Sequence, residues 1–342
     1  MYHHLKFIMK TTKRAMMTNS STRLDRRPSL SKISYTIFTV VFLFLFVCVW
    51  LSITEVQFEV LKKLSVPMYS FTSSNTSLIE ENSTQITPPD MRILLGVSTL
   101  PNSYNRRHFL RLVYGIQSPK GARVDLKFIF CHLTNDDQRV LIALEIMRYD
   151  DIIILNCEEN MNRGKTYTYF SSLPEMFNNT EEQNGKYPPY DFVVKADDDT
   201  YFRLESLVES LKPLPKEDLY YGFVIPCSSM DPFKHYMSGM GFLVSWDIVE
   251  WIRTAATARE HLVGPEDRVF GDWMRRGKRG QNRFNAKWSM YNYPQPPSPC
   301  AHDLVPDTIA VHLLKNDEKW IKTLKFFNVT DNLKPSKLYH LS

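Results

Sequence analysis

Residues 191–200 read DFVVKADDDT. Four of the five residues from Phe192 to Ala196 are apolar, the composition of a strand covered on both faces. Such a strand needs helices above and below, so the fold class expected is α/β. The strand then ends on Asp197, Asp198 and Asp199. Adjacent carboxylates repel one another and resist desolvation, so three in one place call for a positive partner, most simply a divalent cation.

The flanking sequence supplies the layers. Before the aspartates, MRILLGVST (91–99), RVDLKFIFCHL (123–133) and DIIILNC (151–157) read as strands. Between them NRRHFLRLVYG (105–115), DDQRVLIALEIMRYD (136–150) and NRGKTYTYFSSLPEMF (162–177) read as helices. In the second helix Val140, Leu141, Leu144 and Met147 form the apolar face expected to meet the core. After the aspartates come two further strands, YYGFVIPC (220–227) and GMGFLVS (239–245), and two helices, WDIVEWIRTAA (246–256) and PEDRVFGDWMRRG (265–277), the second with proline near its start. Strands alternating with helices predict a mostly parallel sheet. The binding crevice of such a sheet lies at the carboxyl ends of its strands, where the aspartates sit. No phosphate-cradling G-x-x-x-x-G-K-[ST] loop occurs.

The chain has 342 residues, 43% of them hydrophobic, and a net charge of +5. From Ile33 to Ile53 run 21 residues without a charge. At about 1.5 Å per helical residue this spans a hydrocarbon layer of about 30 Å. The leader before it is longer than that of a cleaved signal peptide, and the run exceeds an h-region. It carries Lys6, Lys10, Lys13, Arg14, Arg23, Arg26, Arg27 and Lys32 against the single Asp25, which predicts a cytoplasmic flank. The expected organisation is a cytoplasmic tail (1–32), a transmembrane signal anchor (33–53), a flexible luminal stem rich in Ser, Thr, Asn and Pro (54–90) and a luminal domain (91–342). The leader accounts for much of the positive charge, so nothing calls for a nucleic-acid partner. Sequons at Asn75, Asn82, Asn178 and Asn328 fit luminal glycosylation.

Cys48 falls in the apolar run, leaving Cys131, Cys157, Cys227 and Cys300 in an oxidising compartment, none at C-x-x-C spacing. Cys131 and Cys157 each follow the apolar core of a strand. If those strands are parallel neighbours, both thiols emerge at one sheet edge, close enough to bridge. A Cys131–Cys157 disulfide is therefore expected, the alternative being that both stay reduced in the interior.

A D-x-D at a strand end, in a luminal domain behind an anchor and stem, points to a nucleotide-sugar transferase in which metal-bound carboxylates hold a diphosphate. Rival chemistries fit less well. An aspartate-nucleophile phosphatase wants Thr or Val where Tyr201 stands, and an EF-hand wants Gly and Glu where Phe202 and Val208 stand. A noncatalytic luminal protein binding carbohydrate or metal is compatible with the aspartates alone.

Beyond the aspartates, DFVVKADDDTYFR, YMSGMGFLVSWD, GPEDRVFG and IAVHLLK follow in an order that resembles glycosyltransferase family 31, the inverting β-1,3-galactosyltransferase and N-acetylglucosaminyltransferase group. The likeness covers about residues 91–342, and the ending FNVTDNLKPSKLYH looks like that of a plant member. The resemblance implies a GT-A fold, Mn²⁺ as cofactor, a UDP-sugar donor, galactose being expected, a glycan or glycoprotein acceptor and a Golgi membrane location. It implies Asp199 and His312 as metal ligands, with Asp197 and Asp198 near the metal or the donor ribose. Asp267 is implied as general base, with Glu266 in support and Arg268 replacing the family's valine. Arg107 and Arg111 fall where the family carries R-x-x-I-R-x-T-W, although Val113 and Tyr114 replace its Thr and Trp. These arginines, with Lys165 of RGKTYTYF, are implied as donor contacts.

Overall fold

The computed structural model describes Leu43 and residues 90–177 and 187–331. The apolar run 33–53 (Leu43 apart), the tail, the stem up to residue 89 and the sequons at Asn75, Asn82 and Asn178 lie outside the described residues. Among the described residues no helix is long and apolar enough to cross a membrane. Asn328 is described and is exposed in the turn that closes the last helix.

In chain order the elements are β1 (Met91–Ser98), α1 (Tyr104–Gly115), β2 (Ala122–Phe130), α2 (Asp136–Tyr149), β3 (Ile152–Ile154), α3 (Lys165–Phe177), β4 (Phe192–Asp197), β5 (Tyr201–Phe202) and α4 (Leu204–Leu211). There follow β6 (Leu219–Ile225), β7 (Tyr236–Ser245), α5 (Trp246–Thr254), α6 (Ala256–Glu260), α7 (Glu266–Gly277), β8 (Asn282–Asn285), β9 (Met290–Asn292), β10 (Ala310–His312) and α8 (Asp317–Phe326). The main sheet has strand order β3-β2-β1-β4-β7-β6-β8. Its first four strands are parallel, β7 runs antiparallel to both neighbours, and β8 is parallel to β6. A small sheet, β5-β10-β9, packs beyond the aspartates. The mostly parallel α/β architecture is the one expected; the small sheet was not legible, because two- and three-residue strands carry no periodicity.

One core cluster joins the main sheet to α1, α4 and the small sheet, with Trp320 of α8, and a second joins it to α3, α5 and α7. Phe192, Val194 and Ala196 enter the first and Val193 the second, the alternation a pleated strand dictates. Lys195 therefore points to the same side as Val193, towards α3 and α7. Helix α7 approaches β7 closely at Gly271, where a Cβ would lie 2.3 Å from Cβ of Tyr236. That approach sets Glu266 and Asp267, in the first turn of α7, over the start of β7.

Helix α2 corrects the expected orientation. Val140, Leu141, Leu144 and Met147 are 52–84% exposed, and its buried residues are Ile142 and Glu145. The reason is electrostatic. Arg107 Nη2 and Arg111 Nη2 lie 2.5 and 2.7 Å from the Glu145 carboxylate, and Arg111 also pairs with Asp151 at 2.7 Å. Leaving buried guanidinium groups uncompensated costs more than exposing a few aliphatic side chains, so the helix turns its acid inward.

Cys131 is joined to Cys157 with Cα atoms 5.2 Å apart, and Cys227 to Cys300 with Cα atoms 5.1 Å apart. The first bridge spans the ends of neighbouring parallel strands β2 and β3.

Candidate active site

The carboxyl ends of β1 and β4 lie side by side, Ser98 in register with Asp197. Around them the aspartates find their positive partners. Lys195 is 1% exposed, and its Nζ donates to Asp197 Oδ1 (2.7 Å), Glu266 Oε1 (2.6 Å) and the Gly239 carbonyl (2.9 Å). Burial alone would lower the lysine pKa, but Asp197 and Glu266 outweigh it and hold the ammonium charged well above its ordinary value. Gly239 is required here, since a Cβ at that position would meet Glu266 Oε1 at 2.7 Å. Sequence reasoning passed over Lys195 as the odd residue in an apolar run. The available signal was that a lysine in a strand buried on both faces needs an anion beside it.

Lys195→Met is expected to lower folding stability by about 3–5 kcal/mol, the cost of stranding buried partners. Urea unfolding measures it. Lys195→Met combined with Glu266→Gln should recover part of the loss, because the two residues share one network.

Asp199 is buried and faces the small sheet. His312 Nε2 lies 3.2 Å from Asp199 Oδ1 and 3.8 Å from Asp197 Oδ2. Burial tends to raise the Asp199 carboxyl, but His312 and Lys315 outweigh it and hold it well below the usual carboxylate range. Lys315 Nζ stands 2.8 Å from Asp199 Oδ2, an ion-pair contact outside hydrogen-bonding geometry, so that oxygen is buried with no hydrogen-bond partner. Leu313, between His312 and Lys315, has φ 65. This left-handed conformation is unusual for leucine, and it reverses the chain so that His312 and Lys315 both reach one carboxylate. The Leu314 N–H donates to the Asp199 carbonyl (3.0 Å) and pins the reversal.

Asp198 turns to β1 and accepts from the Thr99 hydroxyl (3.1 Å). Burial first, and Asp199 and Asp197 after it, raise its carboxyl pKa, against Thr99 and Arg106. Tyr114, standing where the resembled motif has Trp, donates its hydroxyl to the Thr200 carbonyl (3.0 Å) and accepts from the Phe202 N–H (3.3 Å). It thereby anchors the chain immediately after the aspartates.

Asp197, Asp199 and His312 offer one ligand atom each, all within 4.8 Å of one another. Two carboxylate oxygens and one imidazole nitrogen suit a divalent ion such as Mn²⁺. The imidazole is prepared for it: Nδ1 donates to Asn292 Oδ1 (2.8 Å), which leaves the Nε2 lone pair facing the carboxylates, the arrangement of a metal-bound histidine held by an outer hydrogen bond. The residues fit the ion.

The three expected donor contacts are engaged largely within the protein. Arg107 is fully buried and donates to the Leu100 (2.6 Å) and Pro101 (3.0 Å) carbonyls as well as to Glu145. It shapes the loop after β1 and, fully buried, presents no exposed surface to a diphosphate. Arg111 pairs with Glu145 and Asp151, while its Nη1 is buried with no hydrogen-bond partner. Lys165 is buried near Asp198, but its Nζ is engaged by Glu159 (2.5 Å) and the Thr99 carbonyl (2.9 Å), and burial lowers its pKa despite Glu159. The half-exposed guanidinium that acts on Asp198 is that of Arg106. It had no signal of its own in a run of two arginines.

Of the two acids at the start of α7, Glu266 is held by Lys195 and by the Thr166 hydroxyl (2.7 Å). Burial raises its pKa, with Lys195 opposing. It is a positioning residue. Asp267 is half-buried, its Oδ1 accepts from the Arg268 N–H (2.8 Å), and among the described residues no cationic side chain pairs with it.

Residues 105–279 match the family model described as Galactosyltransferase. Beta-1,3-galactosyltransferase pvg3 of Schizosaccharomyces pombe is 26% identical over 296 residues, 72% of this chain and 76% of its own length. Beta-1,3-galactosyltransferase 6 of Mus musculus is 23% identical over 200 residues, 52% of this chain and 58% of its own. Among solved structures, galactosyltransferase LgtC in complex with donor and acceptor sugar analogs aligns with 72% of this chain and 97% of its own at 11% identity, with a TM-score of 0.38.

Proposed function

From the premise that the chain belongs to the galactosyltransferase family, whose model spans residues 105–279, and is by that membership a hexosyltransferase, we propose that it moves galactose from UDP-galactose to a glycan hydroxyl in β-1,3 linkage with inversion. The reading includes a GT-A arrangement, Mn²⁺ at Asp197, Asp199 and His312, a single-pass anchor at residues 33–53 and a luminal domain in the Golgi. The observation that carries it is the ligand triangle at the carboxyl end of β4, with Asn292 fixing the imidazole tautomer.

A bound Mn²⁺ would supply Lewis-acid stabilisation of the departing diphosphate. The chain's own residues do the rest. Asp267 accepts the proton of the acceptor hydroxyl as that oxygen attacks the anomeric carbon from the face opposite the leaving group. Lys195 holds Asp197 and Glu266 in place. Arg106 and Lys315 supply positive charge at the rim of the aspartates. The test is a screen of the purified full chain against several UDP-sugars and galactose-terminated acceptors with Mn²⁺, repeated after chelation. Metal-dependent transfer from UDP-galactose with a β-linked product is expected. Failure to hydrolyse or transfer any UDP-sugar would favour a catalytically silent binding protein of the same fold.

A further inference from the structure

Trp288 stands apart from the other tryptophans of the main domain. It is 64% exposed, and its backbone has φ 77, a left-handed conformation unfavourable for a bulky L-residue. Its surroundings enforce that conformation. The Ser289 and Met290 N–H groups both donate to the Ala286 carbonyl (3.2 and 2.9 Å), and the Trp288 carbonyl accepts from His302 Nε2 (3.0 Å). Lys287 Nζ donates to the Cys227 carbonyl (2.8 Å) and to that of Ser229. A rigid, strained turn thus presents a large flat ring to solvent, with the His302 imidazole tilted beside it at 6.1 Å between centroids.

The topology places this ring on the working side of the sheet. Strands β6 and β8 run in the same direction as β4, because β7 is antiparallel to both β4 and β6 and β8 is parallel to β6. The turn carrying Trp288 follows Asn285 and so emerges at the same edge as Asp197–Asp199. Counting β4, β7, β6, β8, it is three strand spacings away, about 14 Å at about 4.8 Å each. A second route agrees: four residues separate Trp288 from Asn292, the partner of His312, at most about 14 Å of extended chain. Between the two ends lies the start of β7, with Glu266 against Gly239 and Asp267 beside it. An acceptor whose reacting hydroxyl sits at Asp267 can therefore lay its remaining sugars towards β8.

We propose that Trp288 is the stacking platform of an acceptor subsite that takes the second or third ring of a β-linked galacto-oligosaccharide. This rests on the transferase reading above. The C–H face of a galactose ring meets the negative face of the indole, as other partners of aromatic quadrupoles do, while His302 and the exposed Asp303 border it with polar groups.

The experiment compares the full-length protein with Trp288→Ala and Trp288→Phe, using methyl β-galactopyranoside and β-1,3-galactotriose as acceptors, UDP-galactose and Mn²⁺. Trp288→Ala is expected to raise KM for the triose roughly tenfold, the loss of one aromatic contact. KM for the monosaccharide and UDP-galactose hydrolysis should be unchanged, and Trp288→Phe should restore most of the difference. Equal effects on both acceptors would overturn the subsite, as would triose kinetics in Trp288→Ala equal to those of the unmodified protein. Calorimetric titration with the triose alone separates the two readings. If no acceptor is glycosylated, the transferase reading fails, whereas the subsite stands or falls on whether the triose binds and whether Trp288→Ala abolishes that binding.

Discussion

Asp267→Asn should reduce the transfer rate by roughly two to four orders of magnitude, the range for removal of a general base, while UDP-galactose and metal binding stay within about twofold. The asymmetry follows from the geometry at the start of α7. Glu266 is locked to Lys195 and Thr166, whereas Asp267 accepts only a neighbouring backbone N–H among the contacts described. An amide in its place keeps the helix start and the local hydrogen bond but cannot take a proton. The measurement is steady-state transfer alongside calorimetric titration of donor. A collapse of donor affinity together with the rate would mean that Asp267 supports structure rather than proton transfer.

Asp199→Asn should be of similar size. It removes one charged ligand from the triangle with Asp197 and His312 and leaves Lys315 facing a neutral amide. Lewis-acid stabilisation is worth several kcal/mol, so a loss of about three orders of magnitude in transfer is expected, with weaker Mn²⁺ binding. Because the amide is nearly isosteric, unfolding by urea should change little compared with Lys195→Met. Unchanged turnover and unchanged metal affinity would exclude Asp199 as a ligand. Metal titration followed by manganese electron resonance reads the affinity directly, independently of turnover.

The frame was legible in the pattern of residues. A strand buried on both faces, alternating with helical segments, admits few architectures other than a helix-flanked, mostly parallel sheet. Such a sheet puts its strand-end aspartates at the crevice. The alternation of strands and helices from β1 to β4, and the place of Asp197–Asp199 at the end of β4, were therefore legible, whereas β8 and the small sheet were not. Legible too was the Cys131–Cys157 bridge, expected from the two strand ends and present with Cα atoms 5.2 Å apart.

Which charges are paired emerged only from the packing of distant segments. Arg107, Arg111 and Lys195 are buried or nearly buried cations, each matched by an acid from a distant part of the chain. Glu145 comes from 38 residues beyond Arg107 and Glu266 from 71 beyond Lys195. No local pattern encodes such pairs, since a helix face or strand alternation reports hydropathy over a few residues and nothing about a distant counter-charge. Helix α2 shows the consequence: its apolar periodicity pointed one way, and the need to neutralise two buried guanidinium groups turned it the other. Burying a charge unpaired costs more than the few side chains' worth of hydrophobic burial that the inversion gives up.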